Sequence, residues 1–412
     1  MTKPLLLIVF LITLSGYFIN ASAQEKKELK PLPAKRDSVK PSALDNQEDI
    51  FDFVNKLRGR PSLQKKDDSI TRKPVYSFIP AIGYTLSSGF AVTISGNIQF
   101  RRDSSSRIST ITASAAISTK RQFTIPIESN IWLKKNKYLL VGDDRFYIYP
   151  QSTFGLGSSS RLVNEDPMKF IYARFYETLY RQVAGDFYLG AGYILDYHSS
   201  VSESGKANGR PSAYFFYGEA QHTVSSGITL NSLFDGRDNS VNPSKGFYSA
   251  VQYRDNYHRL GSTRGWRSLI IDTRKYFNFP AGSKNVLALW SFNWLTLSGK
   301  PPYLDLPSTS WDAYSSTGRG YIQGRFRGAQ MVYGEAEYRF RLTGNGLLGG
   351  VLFVNGETFS GKPGTKLERV QPGFGPGIRI KLNKVSKTNI GIDYGFGSQG
   401  SKGLFINVGE LF

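Results

Sequence analysis

The chain has 412 residues, 52 Lys and Arg against 32 Asp and Glu, and a formal net charge of +20. Hydrophobic residues make up 40%, and no largely apolar run of about 20 residues follows residue 25, which excludes a polytopic helical membrane protein. Aromatics at 14% and 42 Gly exclude a disordered basic tail, and the absence of Cys removes disulfides, Cys-based zinc sites and thiol nucleophiles together.

The N-terminus has the parts of a secretory signal peptide over residues 1–23. Lys3 gives a positive start, Leu5 to Leu14 an apolar core, and Ala21-Ser22-Ala23 a small-residue cleavage site before Gln24. A membrane anchor would need a longer apolar run before Asn20, and a chain without Cys has no lipoprotein attachment point. Residues 24–73 then carry 13 Lys and Arg with 9 Asp and Glu, together with Pro31, Pro33 and Pro41. Such a segment buries too little apolar surface to offset its ordering entropy, so it reads as a mostly disordered tether. Within it Ile50, Phe51, Val54 and Leu57 share one helical face behind Asp45, Asn46 and Glu48, which predicts a short helix around 47–58. A helix lying on its neighbour is the favoured reading, with a plug or a partner-docking helix as the sharper alternative.

From Pro74 to Phe412 the pattern has period two. In Val332 to Leu342 the even positions are apolar or small while Glu335, Glu337, Arg339 and Arg341 take the odd ones. Phe374 to Leu382 sets Phe374, Ile378, Ile380 and Leu382 against Gly377, Arg379 and Lys381, and Thr388 to Phe396 sets Ile390, Ile392, Tyr394 and Phe396 against Gly391, Asp393 and Gly395. The closing run alternates through Leu404, Ile406, Val408 and Phe412. A soluble sandwich satisfies this alternation too. The export signal, the repetition of about ten-residue segments to the C-terminus, and rings such as Tyr338, Tyr394, Trp290 and Trp294 placed as interfacial girdles favour a membrane barrel. Lipid leaves no water for unpaired backbone, so the expectation is all-β: a closed antiparallel transmembrane β-barrel of about 16 strands over 74–412. Turns at 102–106, 134–137, 343–346 and 384–387 would be periplasmic, and loops at 151–167, 200–222 and 299–328 extracellular.

Particular segments carry a resemblance. Phe234 to Phe247, with Asp235, Arg237, Asp238, Pro243 and Gly246, resembles the D-x-R-D-N…P-x-K-G turn of the bacterial surface antigen barrels, the BamA/TamA superfamily. In that family it is a periplasmic hairpin near the middle of the barrel, here between strands 8 and 9. Gly318-Arg319-Gly320-Tyr321 is similar to the family's R-G-F/Y motif on a loop that folds back into the lumen. Gly350 to Gly356 is similar to the G-x-x-F-x-D-x-G strand with Asn355 in place of Asp, and Pro376 to Ile380, Ile392 to Gly395 and Phe405 to Phe412 resemble the strands that follow. The resemblance implies that Arg319 meets lumen carboxylates, with Asp393 the first candidate, Glu335 and Glu337 next, and Asn355 removing one expected charge. Phe412 is either the last lipid-facing aromatic or the terminal signal by which such barrels are recognised for insertion.

The resemblance further implies an outer-membrane protein with periplasmic N-terminal segment and C-terminus, acting in insertion or export of proteins or lipids. The segment 24–73 is too short and polar for a POTRA domain, so a barrel-only relative is expected. Partners would be outer-membrane lipids including lipopolysaccharide, protein or lipid clients, and the barrel assembly machinery, but no nucleic acid. The alternative is a passive anion-biased pore or a structural surface protein. No catalytic, cofactor-binding or metal-binding residues are assigned. His198, His222 and His258 lie near predicted extracellular ends without a hydrolase-like Ser and Asp order, Glu128 and Glu335 read as lumen carboxylates, and the glycines around Gly373 to Gly377 lack the strand-to-helix setting of a phosphate loop.

Overall fold

The computed structural model describes residues 47–59 and 74–412 apart from 103–105, 204–210, 219, 314, 362–365 and 385. The 1–23 signal peptide and most of the 24–73 tether lie outside the described residues. Helix α1 (Ile50–Leu57) precedes strands β1 (Val75–Thr85), β2 (Gly89–Phe100), β3 (Ser109–Ser118), β4 (Phe123–Trp132), β5 (Tyr138–Thr153), β6 (Asp166–Ala184) and β7 (Phe187–Glu203). A short helix α2 (Ala213–Gly218) separates these from β8 (Thr223–Asp235), β9 (Gly246–Asn256), β10 (Trp266–Asn278), β11 (Val286–Gly299), β12 (Gln330–Arg341), β13 (Leu348–Ser360), β14 (Gln371–Asn383), β15 (Thr388–Gly397) and β16 (Lys402–Val408).

Among the described residues the strands form one 16-stranded sheet in sequence order. Every neighbouring pair is antiparallel, so connections alternate between two rims. One rim carries α1, the 236–245 turn and the turns at 342–347 and 384–387. The other carries the long connections, the longest of them residues 300–329 between β11 and β12.

The expectation of a closed barrel is corrected here. β1 pairs with β2 and β16 with β15, but no ladder joins β1 to β16 among the described residues. The two strands nevertheless meet: a Cβ on Gly83 would lie 3.5 Å from the Ile406 carbonyl oxygen. The sheet therefore wraps round to a seam in van der Waals contact that main-chain pairing does not close. β16 has only 7 residues against 11 in β1, which leaves β1 an edge it cannot fully match.

The two sheet faces have opposite chemistry. Outward side chains include Tyr76 and Phe78, each 72% exposed, Leu352 at 55% and Val354 at 56%, whereas Glu337 and Asp393 on the inner face are both 0% exposed. A water-soluble sandwich would bury the apolar set and expose the charged one. The inverse arrangement suits an apolar medium outside and polar partners inside. Asp144 and Glu177 interrupt the outer face, opposite the exposed Ile127 and Tyr193 respectively.

Parity also moves two expected girdle residues. In β11 the even positions point inward, so Trp290 and Trp294 pack in the interior, while Tyr338 and Tyr394 do face out. Phe412 is not lipid-facing either. β16 ends at Val408, Gly409 takes a left-handed φ of 98°, and the tail turns inward, where the buried Phe412 ring stacks on Trp290 at 5.0 Å.

Candidate functional site

Residues 300–329 fold into the interior as a hairpin of their own. Ser308 bridges Arg327, Thr309 N donates to Phe326 O at 3.0 Å, and Gly328 N donates to Pro307 O at 3.1 Å. Buried main chain needs internal partners, and this hairpin supplies them. Its tip presents Gly318-Arg319-Gly320-Tyr321 to the inner faces of β12 to β15.

The Arg319 guanidinium meets three strands at once. Nη1 donates to Asp393 Oδ2 on β15 at 2.8 Å, and Nη2 donates to Glu335 and Glu337 on β12. Its Cζ lies 3.8 Å from the centre of the Phe353 ring on β13. Burial lowers the Arg319 pKa, but the charges of Glu335, Glu337 and Asp393 outweigh it and hold the group well above the ordinary range. Asn355 serves differently from the carboxylates: its Nδ2 donates to the Arg319 carbonyl at 3.0 Å, so it fixes the loop main chain and leaves the guanidinium to others.

Two arginines and Glu410 complete the cluster. Arg379 on β14 donates to Asp393 Oδ1 at 2.5 Å and to Glu410 Oε2 at 2.8 Å. Arg339 donates to Glu337 Oε1 at 2.6 Å and to the main-chain oxygen of Phe412 at 2.8 Å. Arg339 and Arg379 stand on the charged strand faces visible in the sequence; Glu410 belongs to no alternating pattern.

Glycines on the inner wall give the tip its room. A Cβ on Gly373 would lie 2.6 Å from Arg319 O, and one on Gly395 2.6 Å from Gly320 N. Gly373 of β14 and Gly395 of β15 therefore let the hairpin main chain lie against the wall, a role that sequence spacing cannot show. Tyr321 closes the contact: its hydroxyl donates to Pro372 O at 2.5 Å and accepts from Ser398 N at 2.8 Å.

The opposite flank of the hairpin meets a second charged network. Arg254 donates to Asp196 Oδ2 at 2.6 Å, Arg145 donates to Ala313 O at 2.8 Å, and Ser225 Oγ donates to Asp305 Oδ2 at 2.5 Å. Burial first, and the nearby Asp196 charge second, push the Asp305 carboxyl up to about 7. His198 Nδ1 lies 3.5 Å from Asp305 Oδ1, and the ring stacks on Tyr172. The Asp305 carboxyl stands between the Ser225 hydroxyl and the His198 ring. Among the described residues no group of three His, Asp or Glu side chains is placed to hold a metal.

The 236–245 turn is a separate structure on the other rim. Asp235 takes a two-pronged contact from Arg237 at 2.8 and 2.9 Å, and Asp238 accepts from Ser244 N at 2.8 Å and Lys245 N at 3.1 Å. Burial raises the Asp238 pKa, but the Ser244 hydroxyl and these amides prevail and leave it lowered. Pro243 is buried, and Gly246 has φ 117° with Gly236 O only 2.3 Å from where a Cβ would sit. Asn242 Nδ2 donates to Lys387 O at 3.2 Å, which ties this turn to the one between β14 and β15.

Comparison with known proteins places this fold. No protein-family model matches the sequence, and no curated protein matches it. Among solved structures the chain is similar to BamA from Haemophilus ducreyi lacking POTRA domains 1-3, with 13% identity, a TM-score of 0.54, and coverage of 82% of this chain and 70% of that one. It is similar to CdiB from Acinetobacter baumannii at 13% identity and a TM-score of 0.53, over 82% of this chain and 60% of that one. At these identities the likeness is one of fold.

Proposed function

We propose that this chain, which shares the fold of BamA and CdiB, is an outer-membrane protein of the surface-antigen and assembly-factor class that assists insertion or translocation of proteins or lipids. The α1 rim would face the periplasm, and the long connections would face outward toward lipopolysaccharide. The observation that carries this reading is the seam. An edge strand offers a row of main-chain donors and acceptors, and in lipid each unsatisfied group costs several kcal/mol. β1 is such an edge, set in contact with β16 without a ladder, and an incoming client strand would satisfy it by strand addition. The interior hairpin held by Arg319 braces β12 to β15 beside β16, so the seam can part without collapse of the wall behind it. Phe412 would act as an insertion signal before folding, since the folded protein buries it.

A passive pore is the competing reading, and the +20 charge suits anions. The hairpin, the Arg319 cluster and the inward C-terminal tail fill the interior beside β10 to β15, which favours the assembly role. A depletion strain scored for outer-membrane protein content and lipid composition tests the proposal, together with single-channel recording. Loss of other barrels or a lipid imbalance, with small erratic currents, is expected. Large steady anion-selective openings with an unchanged membrane would favour the pore.

A further inference from the structure

Helix α1 docks by its polar side. Asp49 caps it, accepting from Phe51 N and Asp52 N at 3.1 Å each, and is itself only 7% exposed because it also accepts from Lys384 N at 3.2 Å. Asp52 receives Lys384 Nζ at 2.8 Å, and Glu48 and Asn345 exchange two hydrogen bonds, at 3.1 and 2.8 Å. These contacts pin the helix to the 342–347 and 384–387 turns. At 100° per residue Phe53, Leu57, Ile50, Val54 and Phe51 cover the other side. That side is left open: Phe51 is 61% and Leu57 73% exposed, and the helix has no buried apolar residue.

An amphipathic helix on a protein normally buries its apolar stripe and wets its polar one. Here the order is reversed. The rim to which α1 docks carries outward apolar side chains of its own, with Leu342 and Leu348 exposed on either side of the docking turn and Leu352 and Ile378 exposed further along β13 and β14. Arg58 at the end of the helix is exposed, placed to reach anionic head groups while apolar neighbours sink below them.

We propose that α1 is an interfacial helix lying in the head-group layer of the membrane, docked to the rim through Asp49 and Asp52 and held in lipid by Phe51, Phe53 and Leu57. This rests on the outer-membrane reading. Its role is to fix the rim beneath β12 to β14 at the lipid surface, so that motion at the seam is not taken up by tilting of the whole sheet.

The chain has no Cys, so single cysteines can carry a fluorophore in the full-length protein. Phe51→Cys, Lys56→Cys on the polar side and Val354→Cys on the outward sheet face are labelled and reconstituted in vesicles of phosphatidylethanolamine and phosphatidylglycerol. Lipid brominated about 5 to 10 Å below the surface, the depth of such helices, is expected to quench the label at 51 but not at 56, while aqueous iodide does the opposite. Leu57→Glu is expected to release the label at 51 to iodide. Iodide access at 51 in the unaltered helix overturns the inference, as does protection from both quenchers, which would mean a protein or a second copy covers the face. The label at 354 separates the two failures: if lipid does not quench it, the outer-membrane reading falls as well.

Discussion

Arg319, at the tip of the interior hairpin, donates to Asp393 on β15 at 2.8 Å, joining segments 74 residues apart. The bond matters because both groups are out of water. A charge moved into the interior without its partner costs far more than the pair gains, so the contact holds the hairpin in one position.

Arg319→Ala is therefore expected to leave Asp393, Glu335 and Glu337 partly uncompensated and to destabilise the protein by about 3–5 kcal/mol. Arg319→Lys should recover only part of this, since one ammonium cannot span the three carboxylates a planar guanidinium reaches. The temperature at which the folded form loses its anomalous gel migration measures both. An unchanged transition in the Ala variant would remove the hairpin lock from the account.

The carboxylates are not equivalent. Asp393 serves Arg319 and Arg379, whereas Glu335 serves Arg319 and the Tyr333 hydroxyl, and Arg319 keeps two other acceptors if Glu335 is neutralised. Asp393→Asn should cost about 3–5 kcal/mol and Glu335→Gln about 1 kcal/mol. The same gel transition ranks them, and the reverse order would show that the cluster is wired differently.

The strand pattern was legible because the two faces of the sheet have opposite chemistry and alternate residues fall on opposite faces, as Glu335 to Arg341 and Ile390 to Phe396 display. The Arg319 contacts were legible only through the resemblance, since nothing in spacing links position 319 to 393. Arg339 and Arg379 sat in plain view on charged faces, yet alternation gives the face and not the partner. Barrel closure was beyond the same pattern: period two describes each strand alone and cannot say whether the first and last pair. Phe412 misled because Leu404, Ile406 and Val408 extend its alternation, while the turn at Gly409 ends the strand before it.

Gly395 tests the close approach of tip and wall. With Gly320 N only 2.6 Å from a Cβ at that position, Gly395→Ala must displace the tip, at a cost of about 1–3 kcal/mol, and should expose Arg319 to trypsin. Gly334→Ala, where the nearest atom is 4.0 Å away, is the control and should change nothing. Equal trypsin resistance in both variants would contradict the cradle.

Asp305 gives the hairpin a pH dependence. Its folded carboxyl titrates near 7, above the about 3.9 of an unfolded Asp, so the folded state binds this proton more tightly. The contribution is fully present below the unfolded value, falls as pH rises toward 7, and is flat above. The transition temperature should drop over that window, and Asp305→Asn should flatten the decline. A decline of unchanged size in the Asn variant would assign it to another group.

The seam is the centre of the account, and locking it is the most direct test. Gly83→Cys combined with Phe405→Cys or Asn407→Cys places a thiol on each side of the contact in a chain that has no other. Expressed in the depletion strain, the oxidised pair is expected to fail to restore outer-membrane protein and lipid content, and reductant to bring restoration back to the level of the single-Cys chains. A cross-linked protein that restores the membrane as fully as the unlocked one would contradict the claim that β1 and β16 must part.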